Sequence, residues 1–290
     1  MSDRGFLEAA RSLFSTTDAV TKTKTVTFGD AAAVRSNTRW SVGALFVLLL
    51  LWWIVKLGGE DAILNDRTFP SQVDTWNAFI ELIRDGFRDV SLWEHTRTSL
   101  WRITQGMFWG IVIGVPIGFA MGLSSRARGF FDTPVELFRP IPPLALLPLF
   151  ILWFGIGDAT ARNLLIFASI WIMIIAARAG VRTVNLSKVR AAYSLGATKA
   201  QILRKVILPN ALPEIFTGIR VALGVSWGTL VAAELVGTST GLGAMIFAAR
   251  PFFRIDIIVV GVVIISTIGV LMDFSMRILE ARLIPWRGKG

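Results

Sequence analysis

The segment 106–122, GMFWGIVIGVPIGFAMG, contains no charged residue and repeats glycine at every fourth position. An uncharged stretch of this length is stable as a helix in lipid, and we predict a membrane span over 98–123. The repeats form one ridge along that helix, made of Gly106, Gly110, Gly114, Gly118 and Gly122. Small residues at this spacing allow helix backbones to pack closely in a membrane. The ridge therefore predicts a static helix contact, and a sliding surface for alternating access is the alternative.

The composition of the whole chain also indicates a membrane protein. Of its 290 residues, 53% are hydrophobic and 17% are charged, against roughly 25% charged in an ordinary soluble domain. The net charge of +10 lies mainly between apolar blocks, so we expect no nucleic-acid partner. The absence of cysteine and the single histidine, His95, argue against a metal site, a cysteine nucleophile or a catalytic triad.

Six apolar runs are long enough to cross a bilayer as helices. We predict an all-α membrane protein with spans at about 40–57, 98–123, 135–155, 161–180, 213–236 and 256–276. Four prolines in the third run are expected to bend it. The predicted organisation is a polar tail over 1–39, a transmembrane domain over 40–284 and a second tail over 285–290. The sequence leaves open whether the Gly-rich segment 237–255 re-enters the membrane.

The distribution of charge predicts the orientation of these spans. Lysine and arginine collect in the connections 124–134 and 181–212 and in the C-terminal tail, whereas the connection 58–96 is acidic. Because basic connections stay on the cytoplasmic side, we expect an inner-membrane protein with both termini in the cytoplasm. Within the acidic connection, apolar residues at helical spacing predict an amphipathic helix on the membrane or on the bundle.

The basic connection 181–212 has the pattern of a helical turn outside the membrane. Two small residues that allow close approach of a partner precede a glycine that permits a sharp turn, at Ala191, Ala192 and Gly196. A second short helix over 200–207 is expected to end at Pro209 and Pro213. Such a turn docks in a cleft of another protein, or it lies on lipid headgroups through its basic residues.

The spacing in this connection resembles the coupling loop of type I, MetI-like ABC importers. The resemblance is carried by an Ala-Ala pair, glycine four residues later, and an aliphatic-x-Leu-Pro string, at Ala191, Ala192, Gly196, Val206, Leu208 and Pro209. The family motif begins with glutamate, where this chain has Arg190, and usually has isoleucine at the position of Val206. The resemblance implies that these residues seat on an ATP-hydrolysing subunit.

Further strings resemble the taurine, alkanesulfonate and nitrate permeases of this class, and the taurine permeases most. They are SLWEH at 91–95, ELFRPIPPLA at 136–145, WFGIGD at 153–158, AAEL at 232–235 and PW at 285–286. The resemblance implies a non-catalytic permease subunit for a small sulfonate, with nitrate or another small organic anion left open. It also implies a second permease copy, a pair of ATPase subunits that bind ATP and Mg²⁺, and an external binding protein, with lipid around the bundle.

Ionisable and polar residues within the predicted spans are the candidates for a role in transport. Arg102, Arg139 and Arg178 lie near span ends, where we expect them to reach lipid headgroups. His95 is expected to be a satisfied interfacial histidine. The fifth span is our candidate for the lining of the translocation pathway, through Arg220, Ser226, Trp227, Thr229 and Glu234. We expect Ser226 and Thr229 to offer hydrogen bonds to a solute.

Two other classes of protein compete with this interpretation. A secondary transporter would usually carry inverted repeats and paired broken helices, and neither is visible in the sequence. A membrane enzyme would need a convergent acid, base or metal cluster at one depth. The chain has no Gly-x4-Gly-Lys-Ser/Thr phosphate loop, so an ATP-driven reading requires a separate ATPase.

Overall fold

The computed structural model describes residues 38–56 and 69–286, which are helical apart from their connections and one isolated bridge between Phe87 and Val90. The all-α prediction is confirmed. The predicted tail over 1–39 lies outside the described residues except at its last two positions, as does 287–290 at the other end. The predicted domain bounds stay predictions.

The described helices differ greatly in length. In chain order they are α1 (Thr38–Val55), α2 (Gln72–Arg84), α3 (Leu92–Leu123), α4 (Ser125–Phe138), α5 (Leu147–Phe154), α6 (Asp158–Arg182), α7 (Leu186–Ser194), α8 (Lys199–Ile202), α9 (Leu208–Gly237), α10 (Leu242–Ala249) and α11 (Ile255–Leu283). Helix α1 belongs to a separate unit that ends at Gly58. Its apolar side chains, such as Phe46, are exposed.

Among the described residues, four helical runs are long and apolar enough to span a membrane, namely α3, α6, the run Lys199–Gly237 and α11. Helix α4 and the helical segment Pro143–Phe154 form a fifth span if they are counted together, but they meet at a bend of 84°. The predicted third span over 135–155 is therefore broken, since prolines at its centre cannot donate backbone hydrogen bonds. The described residues thus hold four candidate spans, or five with this bent pair, and α1, which is apolar over Phe46–Val55, would be the sixth of the predicted total.

The connection predicted over 124–134 is helical instead. The hydroxyl of Ser124 accepts a hydrogen bond from the Ala127 amide at 3.4 Å and caps α4 at its start. The basic residues Arg126 and Arg128 therefore lie on a helix that follows α3 directly. The segment predicted over 237–255 holds the short apolar helix α10.

The contact between α3 and α6 organises the bundle. A Cβ atom added to Gly114 would lie 2.7 Å from the Cβ of Met173, and one added to Gly122 would lie equally close to the side chain of Val181. The other three glycines of the ridge meet Leu165, Ser169 and Ala177 in the same way. Because four-residue steps on α3 match four-residue steps on α6, the two helices run parallel with their backbones in close contact. The hydroxyl of Ser169 also donates to the Gly106 carbonyl at 2.9 Å.

Helix α9 covers the next face of α6 and runs antiparallel to it. Close approach again depends on glycine, because Gly180 lies against Ala211 and Gly218 lies against Ala176. Met173 and Ala177 of α6 are buried between α3 and α9. Helix α6 is therefore the centre of a three-helix core.

The prediction that Pro209 and Pro213 end the second helix of the basic connection is wrong. The chain stays helical from Lys199 to Gly237, with a π-helical turn over Leu203–Ile207. Pro209 lies in the first turn of α9, where proline is tolerated, and the wider π turn comes immediately before it. Pro213 leaves the Pro209 carbonyl without its helical partner, and the indole Nε1 of Trp286 donates to that carbonyl at 3.3 Å.

Helix α2 is the amphipathic helix predicted in the acidic connection, and it packs on the bundle. Ala78 and Leu82 are buried against α10 and α11, whereas Val73, Trp76 and Ile83 are exposed. An ion pair of 2.6 Å between Glu81 and Arg254 fixes α2 to the start of α11. Hydrogen bonds with Glu81 and then Asp256 raise the pKa of the Arg254 guanidinium further above its ordinary value, so it stays charged.

We expect Gly114→Ala to destabilise the protein by about 1–3 kcal/mol, since overpacking forces the two helices apart. The added methyl would also lie 2.8 Å from the Ile170 carbonyl oxygen. The matched control is Gly129→Ala on α4, where no atom lies within 4 Å of an added Cβ. Thermal unfolding in detergent, followed by tryptophan fluorescence, measures both variants. Equal unfolding midpoints for the two would contradict the close contact.

Candidate functional site

The connection between α6 and α9 forms an exposed helical turn over 185–207. Asn185 caps α7 by accepting a hydrogen bond from the Ser187 amide at 2.9 Å. Gly196 has a φ of +77°, a left-handed conformation that favours glycine, and it reverses the chain between α7 and α8. Thr198 and Gln201 then form a capping box at the start of α8. Each change of direction is therefore made by local groups, which gives the turn a defined shape.

The inner side of the helical turn is packed onto the bundle. Ile202 and Ile207 are buried with Val181 at the end of α6, and Ala192 and Val206 pack against them. Arg190, Ala191, Gly196 and Leu208 lie on the exposed side. Pro209 is partly buried. The predicted coupling residues thus divide into a group that holds the turn and a group that faces outward.

Sequence reasoning missed the most exposed apolar side chain of the helical turn. Leu195 is 88% exposed, and Tyr193 beside it is 50% exposed. Leu195 borders a hollow of 380 Å³ between α7 and α8. The sequence feature that could have identified this side chain is an apolar residue directly before Gly196. Outside a bilayer, such a side chain is typical of a surface that contacts another protein.

The polar residues predicted to line a pathway in α9 lie between packed helices. The Ser226 hydroxyl is buried and lies 3.6 Å from the sulfur of Met107. The Thr229 hydroxyl donates to the Val225 carbonyl of its own helix at 2.9 Å. Trp227 packs with Ile103 and other residues of α3, α6 and α11. In this conformation Ser226 and Thr229 therefore make contacts within the bundle.

Arg220 is engaged with α11. Its Nε donates to Asp273 at 2.8 Å, and its Nη1 lies 3.9 Å from Glu280. Asp273 also accepts from Arg277 at 2.8 Å. The structure thus assigns Arg220 to the contact between two spans. Arg178, expected at headgroups, instead forms an ion pair with Asp132 of α4.

Arg102 and Glu234 are buried together in what we call the ionic cluster, defined as Ser99, Arg102, Asp158 and Glu234. The Arg102 Nη1 donates to Glu234 at 2.6 Å, and its Nε donates to Asp158 at 3.0 Å. Ser99 donates to Glu234 at 2.8 Å. Side-chain exposure is 3% for Arg102, 0% for Glu234 and 74% for Asp158. The cluster joins α3, α9 and the start of α6.

The ionic cluster also holds the start of α10. The amides of Leu242 and Gly243, which have no partner within the helix, donate to Ser99 and to Glu234 at 2.9 Å each. Arg102 Nη1 donates to the Thr240 carbonyl at 2.7 Å. His95 is buried and lies 3.1 Å from the Gly241 amide through its Nδ1. One set of side chains therefore fixes the connection between α9 and α10.

The expectation that Arg102 reaches lipid headgroups is wrong. Its guanidinium is satisfied by two carboxylates and a carbonyl inside the protein, and a buried charge is stable only with such partners. His95, predicted to be a satisfied interfacial histidine, is 2% exposed, and its Nδ1 contacts the backbone of Gly241. The sequence did contain an indication of this pairing, because Arg102 and Glu234 lie near the ends of two predicted spans on the same side of the membrane.

Together, the three-helix core and the exposed helical turn define a helical membrane permease. The chain belongs to the family described as "Binding-protein-dependent transport system inner membrane component", whose model matches residues 110–285. It is 43% identical over 251 residues to the taurine transport system permease protein TauC of Escherichia coli (strain K12), covering 86% of this chain and 90% of that protein. It is 34% identical to the putative aliphatic sulfonates transport permease protein SsuC of Bacillus subtilis (strain 168), covering 87% and 90%.

A solved structure shows the same fold. An inward-facing structure of the MetNI methionine ABC transporter matches with a TM-score of 0.58 at 20% identity, covering 66% of this chain and 97% of that one. The prediction of a multi-pass inner-membrane permease subunit of an ABC importer is confirmed by the family. Membership implies a separate ATPase and a substrate-binding protein as partners.

We expect Arg102→Gln to destabilise the protein by about 3–5 kcal/mol, because it leaves the Glu234 carboxylate buried without its counter-charge. Asp158→Asn is the matched comparison, since it removes the exposed carboxylate of the same ionic cluster and should cost less than about 1 kcal/mol. Unfolding in detergent at neutral pH measures the difference. Equal losses of stability from the two substitutions would show that the cost does not depend on how deeply each charge is buried.

Proposed function

We propose that this permease imports taurine or a closely related small sulfonate. The observation that carries this proposal is the 43% identity to the taurine permease of Escherichia coli over 86% of this chain. The sulfonate permease at 34% identity supports the same chemical class of substrate. A strongly acidic sulfonate stays charged at neutral pH, so it cannot cross lipid unaided.

The ATPase would dock on the helical turn over 185–207. Leu195 and Tyr193 offer apolar anchors, and Arg190 and Ala191 share the exposed side. This arrangement fits the mode in which a short helix enters a groove of a partner. ATP and Mg²⁺ would be bound by the ATPase pair, and closure of that pair would move the docked turn.

Movement at the helical turn has a direct route into the bundle. The chain is helical from Lys199 to Gly237, so α8, the π turn and α9 connect the docking surface to the membrane. Helix α9 contacts α6 closely at Gly218 and Gly180. Displacement of the turn would therefore tilt α9 and α6 together. ATP binding would open the pathway outward, and hydrolysis would reset it.

The orientation that we propose places the helical turn and both termini in the cytoplasm. The positive-inside rule supports this orientation, because the basic connection 181–212 would then lie on the cytoplasmic side. Its six basic residues are all exposed: Arg182, Lys188, Arg190, Lys199, Arg204 and Lys205. Helix α2 and the start of α11 would then lie on the side from which the binding protein delivers substrate.

A second permease copy would complete the pathway. Val221, Gly224, Val225 and Gly228 form an exposed face of α9 with small side chains, which suits close packing of another helix. In contrast, α11 exposes large apolar side chains such as Val270 and Phe274, which suit lipid.

Reconstitution of the permease with its ATPase and binding protein in liposomes tests these proposals. We expect taurine-loaded binding protein to stimulate ATP hydrolysis, and Gly196→Asp and Leu195→Asp to abolish the stimulation. An aspartate at 196 is strained at a φ of +77°, and one at 195 replaces the exposed anchor. The matched control is Gly129→Asp on α4, which places the same charge at an exposed glycine outside the helical turn, where no atom lies within 4 Å of an added Cβ.

Two outcomes would contradict the proposals separately. Stimulation that survives both variants would show that the ATPase docks elsewhere. Stimulation of the wild-type assembly by another small anion, but not by taurine, would overturn the proposed substrate and leave the docking surface intact.

A further inference from the structure

One cavity of 500 Å³ lies beside α9 and brings two opposite charges together. Its lining comes from the bend between α4 and α5, from α6 and from α9. Arg139 and Glu214 supply the charges, Trp171 supplies an aromatic ring, and Thr217 supplies a hydroxyl. Ala176 and Gly218 line the cavity with small side chains or none. The exposed α9 residues Val221 and Val225 continue the same wall.

The bend between α4 and α5 places Arg139 beside the cavity. It follows the last residue of α4 and precedes Pro140, and two more prolines follow at 142 and 143. Proline fixes the backbone and restricts the residue before it, so the Cα of Arg139 has a defined position. Its side chain is exposed. Within 38–56 and 69–286, its guanidinium has neither a hydrogen bond nor an ion pair.

Glu214 faces the same cavity from the first turns of α9. It is partly buried, and among the described residues its carboxylate likewise has no hydrogen-bond or ion-pair partner. It does not form an ion pair with Arg139, although the two line one cavity. In contrast, Arg178 of α6 is paired with Asp132, and Arg220 of α9 is paired with Asp273.

Arg139 and Glu214 are opposite charges that line one cavity, and among the described residues neither has an ion-pair partner. One ligand that carries both complementary charges would compensate them. The Glu214 carboxylate is partly buried, where an ionised group is costly unless a partner compensates it, and the exposed Arg139 guanidinium is accessible to an anion. A simple anion such as nitrate would compensate Arg139, but it would repel Glu214. A small zwitterion compensates both, with its anionic group on the guanidinium and its ammonium on the carboxylate.

We propose that this cavity is a transit site for a small amino sulfonate, with Arg139 binding the sulfonate and Glu214 binding the ammonium. The inference rests on the proposed import of a sulfonate and narrows it to the zwitterionic members of that class. Taurine is an aminoethanesulfonate and carries both groups. The Thr217 hydroxyl donates to Pro213 of its own helix at 2.9 Å, so its oxygen remains able to accept a hydrogen bond from the ammonium.

The test measures uptake of labelled taurine by liposomes that contain the full assembly of permease, ATPase and binding protein. Arg139→Gln and Glu214→Gln should each lower uptake by about tenfold or more, the effect of losing a charged hydrogen bond. Stimulated ATP hydrolysis should change by less than about twofold, because the docking surface is intact. The matched controls are Arg126→Gln and Glu136→Gln on α4, which are exposed, do not line the cavity and should transport as the wild type does.

Competition binding to the purified permease–ATPase complex supplies a readout apart from transport. Isethionate has the same ethanesulfonate frame with a hydroxyl in place of the ammonium. The wild-type complex should prefer taurine, and Glu214→Gln should reduce that preference while Arg139→Gln weakens both ligands. A preference that is unchanged by Glu214→Gln would overturn the role of this carboxylate.

The remaining outcomes separate the inference from the proposed function. If the wild-type assembly imports taurine and both cavity variants do so at the same rate, the transit site is wrong and the proposed function stands. A loss in only one of the two variants also contradicts a site for a zwitterion. Dissociation of the permease dimer by both variants, seen in light scattering, would assign the two charges to the contact between copies. If the wild-type assembly imports no taurine, the proposed substrate falls and the inference falls with it.

Discussion

Close contact between α3 and α6 is the constraint on which the rest of the bundle depends. In a bilayer, moving an apolar side chain from lipid into the protein interior gives no hydrophobic stabilisation. Helices therefore associate through packing and internal hydrogen bonds. Gly114 and Gly122 allow α3 to lie against Met173 and Val181 without intervening side chains. Helix α6 then presents Gly180 and Ala176 to α9 on its other face.

The two ends of this core are built differently. At one end the ionic cluster joins α3, α6 and α9 through the buried charges of Arg102 and Glu234, and it fixes the start of α10 through backbone amides. At the other end the helical turn over 185–207 is shaped by local caps and exposes Leu195. The ionic cluster therefore bonds the helices together at one end, and the exposed helical turn is available to a partner at the other. This arrangement suits a subunit that is moved by a partner.

The bend between α4 and α5 has a consequence for the proposed transport path. An 84° break separates α4 from the helical segment that follows it. Helix α5 packs on α6 and α9, and the cavity lies at the break. The polar residues of α9 predicted to line a pathway, Ser226 and Thr229, are occupied by contacts inside the bundle. Arg139 and Glu214, which are unpaired within the described part of the chain, lie at the cavity instead.

The sequence by itself determined the all-α class, the positions of most spans, the glycine ridge, the helical turn and the family. These features depend on hydropathy, on helical period and on residue spacing, which are local properties of the chain. Only the tertiary structure decided that Arg102 is buried, since its carboxylate partners lie 56 and 132 positions away. It also showed that helix continues through Pro209 and Pro213, because a π turn and the distant Trp286 compensate for the missing backbone bonds. Contacts between residues far apart in the chain depend on how the helices pack, and local patterns do not encode that packing.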